Sequence, residues 1–259
     1  MPAALTIAGS DPSGGAGIQA DLKVFQQFGV YGEAVITLIT VQNTCGVQRV
    51  HVLDGRLVAE QIRAVVEDIP PAAAKTGALG SAEVIEAVGA QACACNFPLV
   101  VDPVLASKGG IELMPAVSLE LFKRVLLPRA SLLTPNLEEA SILTGRKVTN
   151  VAEMRCAAQA LGDLGAGSVL VKGGHLQGDR ALDILLHAGE WFEFDAARIA
   201  ASHTHGTGCT YSAAITAGLA QGLSVPEAVR QAKRYIQAAI QTNPGLGHGC
   251  GPVNHAAEW

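Results

Sequence analysis

The segment Thr204-His205-Gly206-Thr207-Gly208-Cys209-Thr210 places two glycines and a thiol ahead of a run of small residues, Ser212, Ala213, Ala214, Ala217 and Gly218. Small residues at that density let a helix pack closely on a sheet, so the glycines fall at a helix start. The first N–H groups of a helix have no intrahelical acceptor, and its dipole adds roughly half a positive charge there. The result is an anion hole suited to a transferring phosphoryl group. Cys209 falls in the first turn, where the same field is expected to lower its thiol pKa. A side chain at that point either accepts the proton of an attacking hydroxyl or orients the alcohol.

Other polar residues stand at the ends of apolar runs: Gly9-Ser10-Asp11, Gln42-Asn43, Lys75, Asp102, Asn136 and Lys172. Lys172, followed by two glycines, reads as a cation for phosphate. Two further glycine patterns are excluded. Gly15-Ala16-Gly17-Ile18-Gln19-Ala20 matches G-x-G-x-x-A, but the next strand ends Thr40-Val41-Gln42 without the carboxylate that a dinucleotide ribose needs. Gly173 and Gly178 have P-loop spacing, but Asp179 stands where Lys is required.

The elements that must position these residues alternate along the chain. Apolar runs at 4–8, 34–41, 72–75, 97–101, 131–133 and 169–171 read as strands. Helical periodicity occupies 16–28, 57–69, 83–88, 119–126, 137–143, 151–164, 206–222 and 225–240, with Ser81 as an N-cap. Residues 180–187 and 190–195 form an expected hairpin around Ala188-Gly189. Continuous apolar strands between helices imply a mostly parallel sheet covered on both faces. Ligands of such sheets bind beyond the carboxyl ends of the strands, where the polar residues cluster. No linker, repeat or low-complexity block interrupts the pattern, so residues 1–259 read as a single domain.

Composition narrows the function. Of 259 residues, 49% are hydrophobic and 16% charged, enough for a large core. The net charge of −5 comes without a basic stripe, which argues against nucleic acid as the main partner. No apolar stretch reaches the roughly 18 residues of a membrane span, and no basic segment opens the chain, so a cytoplasmic protein is expected. The six cysteines are expected to be mostly small buried hydrophobes, and Cys93-Ala94-Cys95 lacks zinc-knuckle spacing.

Gly206-Thr207-Gly208-Cys209 resembles the anion-hole signature of the ribokinase superfamily, in the vitamin kinase branch where Cys often replaces an Asp base. The opening Ile7-Ala8-Gly9-Ser10-Asp11-Pro12-Ser13-Gly14-Gly15-Ala16-Gly17-Ile18-Gln19-Ala20-Asp21 is similar to the N-terminus of bacterial hydroxymethylpyrimidine/phosphomethylpyrimidine kinases. So are Val41-Gln42-Asn43-Thr44, Lys75-Thr76-Gly77, Val101-Asp102-Pro103-Val104, Thr134-Pro135-Asn136-Leu137-Glu138-Glu139-Ala140 and Val171-Lys172-Gly173-Gly174-His175. These segments cover essentially the whole chain, in order.

The resemblance implies a ribokinase-like three-layer α/β/α fold with a short flap at about 103–112. It places the γ-phosphate of ATP on the amides of Gly206, Thr207, Gly208 and Cys209, with Cys209 in the base position. Asn136, Lys172 and Thr204 join Gly206 and Gly208 on the nucleotide side. Asn136 and Glu139, on one face of a starting helix, resemble the Asn-x-x-Glu element that organises Mg²⁺, with Asp102 as a second, outer-sphere carboxylate. Gly9, Asp21, Gln42 and Ala78 are implied around the acceptor ring, Asp21 holding either a ring amine or a hydroxymethyl group. The Gln42 amide offers donors and an acceptor, matching the ring nitrogen and exocyclic amine of an aminopyrimidine.

The implied activity is ATP- and Mg²⁺-dependent phosphorylation of 4-amino-5-hydroxymethyl-2-methylpyrimidine to its monophosphate and then the diphosphate, by a homodimer, for thiamine biosynthesis. A pyridoxine/pyridoxal kinase is the alternative, although Ser107 stands where two-cysteine pyridoxal kinases carry a second Cys. A non-catalytic pyrimidine sensor is a third reading. The tail Gly247-His248-Gly249-Cys250-Gly251-Pro252-Val253-Asn254-His255 resembles the family's closing motif, with variation at Cys250 and Asn254.

Overall fold

The computed structural model describes residues 1–259 except Ala94, Lys108, Gly109 and His175. In chain order the strands are β1 (Ala3–Ser10), β2 (Tyr31–Asn43), β3 (Gly46–Val52), β4 (Ala73–Thr76), β5 (Leu99–Val101), β6 (Leu132–Leu133), β7 (Ser168–Val171), β8 (Asp183–His187) and β9 (Glu190–Phe194). The helices are α1 (Gly17–Gln27), α2 (Gly55–Asp68), α3 (Ala82–Cys93), α4 (Leu119–Leu126), α5 (Leu137–Thr144), α6 (Val151–Asp163), α7 (Thr207–Ala220) and α8 (Val225–Gln241).

Among the described residues the nine strands join one sheet in the order β3-β2-β1-β4-β5-β6-β7-β8-β9. From β2 to β7 every pairing is parallel, and antiparallel strands close both edges. Successive side chains of a strand point to opposite faces, and this alternation divides the core in two. Leu5, Ile7, Val101, Leu133 and Val171 face α2 to α6, where Val58, Ile62, Val84, Phe122 and Met154 pack. Ala4, Val100, Leu132 and Leu170 face α1, α7 and α8, against Phe25, Ala213, Ala217 and Tyr235. Helices on both faces of a mostly parallel sheet make the expected three-layer α/β/α architecture.

Most element boundaries follow the sequence pattern. Ser81 Oγ accepts the Val84 N–H at 3.3 Å, as an N-cap does. The hairpin of β8 and β9 turns at Ala188 and Gly189, both with positive φ. Strand β3 is not among the expected elements. It is an edge strand with Gln48, Arg49 and His51 exposed, so burial leaves little periodic signal in it; its pairing with β2 makes it a strand.

The cysteine expectation is corrected. Cys45, Cys93 and Cys156 are exposed, and Cys95, Cys209 and Cys250 are half-buried. Cys156 lies off the buried stripe of α6 formed by Met154, Ala157, Ala158 and Leu161. In the expected flap, Ala106 bridges Glu112, and Leu105 and Met114 anchor its two ends in the core. Lys108 and Gly109 at its centre, Ala94 between the paired cysteines, and His175 after Gly174 lie outside the described residues.

Candidate active site

Helix α7 begins where the sequence places it, over the carboxyl ends of the central strands. Its N-cap, Gly206, adopts φ +76°, and a Cβ there would stand 1.8 Å from the Gly15 carbonyl oxygen, so only glycine fits. Thr207 Oγ1 donates to the Thr204 carbonyl at 2.7 Å and tightens the turn. A Cβ on Gly208 would meet Lys172 Nζ at 3.5 Å and Asp102 Oδ2 at 3.9 Å. The space in front of Gly208 is therefore bounded by the lysine expected to bind phosphate.

Lys172 donates to Asp102 Oδ1 at 3.1 Å, with both side chains largely buried. Burial opposes the charge on Lys172, but Asp102 and Glu139 outweigh it and hold the ammonium above its ordinary range. Burial likewise opposes the charge on Asp102, and Lys172 and Lys75 reverse the effect, keeping its carboxyl below the usual carboxylate range. Asp102 also accepts from Thr134 Oγ1 at 3.3 Å and from Ser212 Oγ at 3.0 Å. Both its oxygens are engaged, which suits an outer-sphere role better than a direct metal bond.

Asn136 and Glu139 form a capping box at the start of α5. Asn136 Oδ1 accepts the Glu139 N–H at 2.9 Å, and Glu139 Oε2 accepts the Asn136 N–H at 2.7 Å. Burial lifts the Glu139 carboxyl to about 7, against the pull of Lys172. Asn136 also bridges Lys172, which ties the element to the end of β7. A carboxylate held near neutrality, with one oxygen outside the cap, suits Mg²⁺ held chiefly through phosphates and waters. No cluster of three or more His, Cys, Asp or Glu that could hold a metal exists among the described residues.

Cys209 departs from expectation. Burial pushes its thiol up to about 11; Lys75 and the Gly17 N–H pull it down, while the charges of Asp21 and Asp102 push it further up. The field of the helix start does not prevail over burial and two nearby carboxylates, so the thiol is protonated at neutral pH.

On the acceptor side, Gly9 and Ala78 adjoin each other: a Cβ on Gly9 would lie 3.7 Å from that of Ala78. The Gln42 amide lies 3.2 Å from the His205 ring, joining the β2 end to the residue before Gly206. Asp21, expected on the acceptor side, is held within the fold. It is fully buried, with both oxygens 2.8 Å from Lys75 Nζ and one also accepting from Thr6 Oγ1. Its carboxylate thus acts on the site through Lys75. Sequence reasoning marks Asp11 and Lys75 as polar residues at strand ends and His205 as a motif member, without the partners each meets. A lysine inside an otherwise apolar strand is the available signal for the Lys75–Asp21 pair.

The tail returns to the site: the His205 N–H donates to the Gly251 carbonyl at 3.0 Å, and the Val253 N–H donates to the His205 carbonyl at 3.3 Å. The segment before the anion hole is thus held by backbone pairing with 251–253.

A parallel sheet that sets glycine amides, a lysine and carboxylates beyond its strand ends defines a small-molecule kinase with a ribokinase-like fold. The phosphomethylpyrimidine kinase family model matches residues 11–254, and the chain belongs to that family. It is 47% identical to the hydroxymethylpyrimidine/phosphomethylpyrimidine kinase of Streptomyces coelicolor, over 98% of this chain and 94% of that protein. It is 48% identical, over 97% of its length, to the thiamine biosynthesis bifunctional protein ThiED of Geobacter sulfurreducens, of which it spans about half, 51%. It also matches the ADP complex of Bacillus subtilis pyridoxal kinase with a TM-score of 0.92 at 38% identity, covering 99% of this chain and 98% of that one. The chain is a phosphotransferase that uses ATP, with Mg²⁺ as the usual kinase partner. No helix among the described residues is long and apolar enough to cross a membrane.

Proposed function

We propose that the protein phosphorylates 4-amino-5-hydroxymethyl-2-methylpyrimidine with ATP, and then the resulting monophosphate, for thiamine biosynthesis. The observation that carries this reading is the junction at His205. It joins the anion hole at Gly206 to Gln42, a two-point polar reader suited to an aminopyrimidine. Gly9 and Ala78 supply the small surface against which a flat ring lies.

The acceptor hydroxyl attacks the γ-phosphorus, the bond to ADP breaks, and the hydroxyl proton passes to an oxygen of the transferred phosphoryl group and from there to solvent. The amides from Gly206 to Cys209 and the ammonium of Lys172 neutralise the transferring group. Glu139 and Asn136, with Asp102 behind them, would organise Mg²⁺, which neutralises phosphate charge when bound. A loose transition state makes little demand on a base. A thiol held at about 11 therefore suits orienting the hydroxyl better than deprotonating it. The monophosphate uses the same site if Lys172 and the anion hole accept a second phosphate.

The TM-score of 0.92 against a pyridoxal kinase favours a second reading, pyridoxal phosphorylation, since both acceptors are flat rings bearing a hydroxymethyl group. Purified protein with Mg²⁺ and ATP, offered hydroxymethylpyrimidine, its monophosphate and pyridoxal, separates the two. Turnover of pyridoxal alone rejects our reading. Binding without turnover of any of them points to a sensor. The proposal also takes the enzyme to be a cytoplasmic homodimer, which light scattering on the eluted protein tests for its second half.

A further inference from the structure

The Gln42 amide carries a donor and an acceptor, and a half-turn of the amide exchanges them. What sets its direction is legible in its neighbours. Asp11 Oδ2 lies 2.7 Å from His205 Nε2 and accepts the Ala16 N–H at 2.9 Å, while Oδ1 accepts from the Ser13 N–H and hydroxyl. Burial works against the Asp11 charge, but the hydrogen bonds from His205 and Ser13 outweigh it and hold the carboxyl below its usual range. An ionised carboxylate only accepts. His205 Nε2 therefore carries a hydrogen, whether the ring is neutral or charged.

With the amide nitrogen of Gln42 turned to His205, at 3.2 Å, two donors face each other. In the same orientation the single hydrogen of Thr40 Oγ1 is required by both the Ser10 carbonyl, at 3.0 Å, and Gln42 Oε1, at 3.3 Å. A half-turn removes the donor–donor contact and the competition at Thr40. The amide oxygen then faces the Nε2 hydrogen of His205 as the weaker acceptor of a three-centre bond shared with Asp11 Oδ2, the amide nitrogen donates to Thr40 Oγ1, and Thr40 donates to Ser10.

We propose that His205, held by Asp11, is the positioning residue that fixes the direction of the Gln42 amide and hence the order of donor and acceptor offered to the substrate. The consequence for substrate choice rests on the proposed function, in which Gln42 reads the acceptor ring. An edge with a ring nitrogen beside an exocyclic amine fits one order and is refused by the other.

The test begins on the free protein. In ¹⁵N-labelled protein, long-range imidazole correlations should show His205 Nε2 protonated, and the Gln42 amide hydrogens should lie nearer Thr40 than the His205 ring. An unprotonated Nε2, or amide hydrogens against the ring, overturns the proposal whatever the substrate is. Kinetics form the second arm. His205→Phe and Thr40→Val each remove one partner while keeping similar bulk. Each should raise KM for hydroxymethylpyrimidine by about tenfold or more and leave KM for ATP within about twofold. KM values for both substrates rising together would mean that His205 only shapes the anion hole, and the proposal fails. If wild-type protein ignores hydroxymethylpyrimidine, the substrate reading falls, and the amide direction measured in the free protein still decides this inference.

Discussion

Lys75 Nζ stands 2.8 Å from both carboxylate oxygens of Asp21, and neither side chain has any solvent exposure. The pair joins β4 to α1, close enough to the thiol of Cys209 for both charges to act on it. Burial opposes the Lys75 charge, but Asp21 and Asp102 outweigh it, so the ammonium stays above its ordinary range. Removing one partner leaves an uncompensated buried charge, which costs about 3–5 kcal/mol. Lys75→Met and Asp21→Leu should each lower unfolding stability on that scale in urea titrations. The double variant should lose clearly less than the sum of the two; strict additivity would show that the pair is not coupled.

Gly206 and Gly208 should respond oppositely to alanine. Gly206→Ala forces a side chain into the Gly15 carbonyl at positive φ, so the protein should lose stability by at least about 1–3 kcal/mol as well as activity. Gly208→Ala meets only Lys172 and Asp102 at van der Waals distance. Its melting temperature should hold or rise, because Ala favours helix over Gly by about 1 kcal/mol. Its kcat/KM for ATP should nonetheless fall by about 10²-fold, since the methyl occupies the space in front of the amides. Retained activity in Gly208→Ala would remove that space from the phosphate path.

Glu139 predicts a pH dependence. Its carboxyl titrates near 7 in the fold and near 4.5 when free, so the fold favours its protonated form. Relative to an unfolded chain, its contribution is fully present below about 4.5 and is lost as the pH rises through about 7. Glu139→Gln keeps the acceptor oxygen of the capping box and does not titrate. The variant should therefore gain on wild type in denaturation experiments as the pH rises from about 4.5 to about 7, and the gap should level off above that. A gap independent of pH would place the Glu139 carboxyl in its ordinary range.

Cys209 should alkylate slowly at neutral pH compared with exposed Cys45, Cys93 and Cys156, and its rate should climb with pH toward about 11. Mass spectrometry of iodoacetamide-treated protein reads each site. Cys209→Ala should lower kcat by about 10²-fold through misplacement of the hydroxyl, and Cys209→Ser should recover much of that. A serine variant as slow as the alanine one would make the thiolate a true base.

Much of the fold and of the phosphate site is legible in the residues alone. The run 169–171 is wholly apolar and 4–8 is apolar but for Thr6, and only a strand inside a covered sheet buries both faces of such runs. The small-residue stretch after Cys209 requires a helix packed tightly on that sheet, which puts Gly206 and Gly208 at its start. The Asn136–Glu139 spacing is local, so the capping box follows from a single turn of chain. Strand β3 leaves little trace because an edge strand half in water carries a weak hydrophobic period.

What the sequence by itself determined is therefore the layered sheet and a phosphate site built from backbone amides, since both rest on local pattern and glycine chemistry. What only the tertiary structure decided is how distant charges meet. Asp21 pairs with Lys75, 54 residues on, and His205 reaches Asp11 across 194 residues of chain. Cys209 is pushed up rather than down because it is buried and because Asp21 and Asp102 arrive from other elements. Coulomb interactions and desolvation depend on separation in space and on exclusion of water, and spacing along the chain encodes neither.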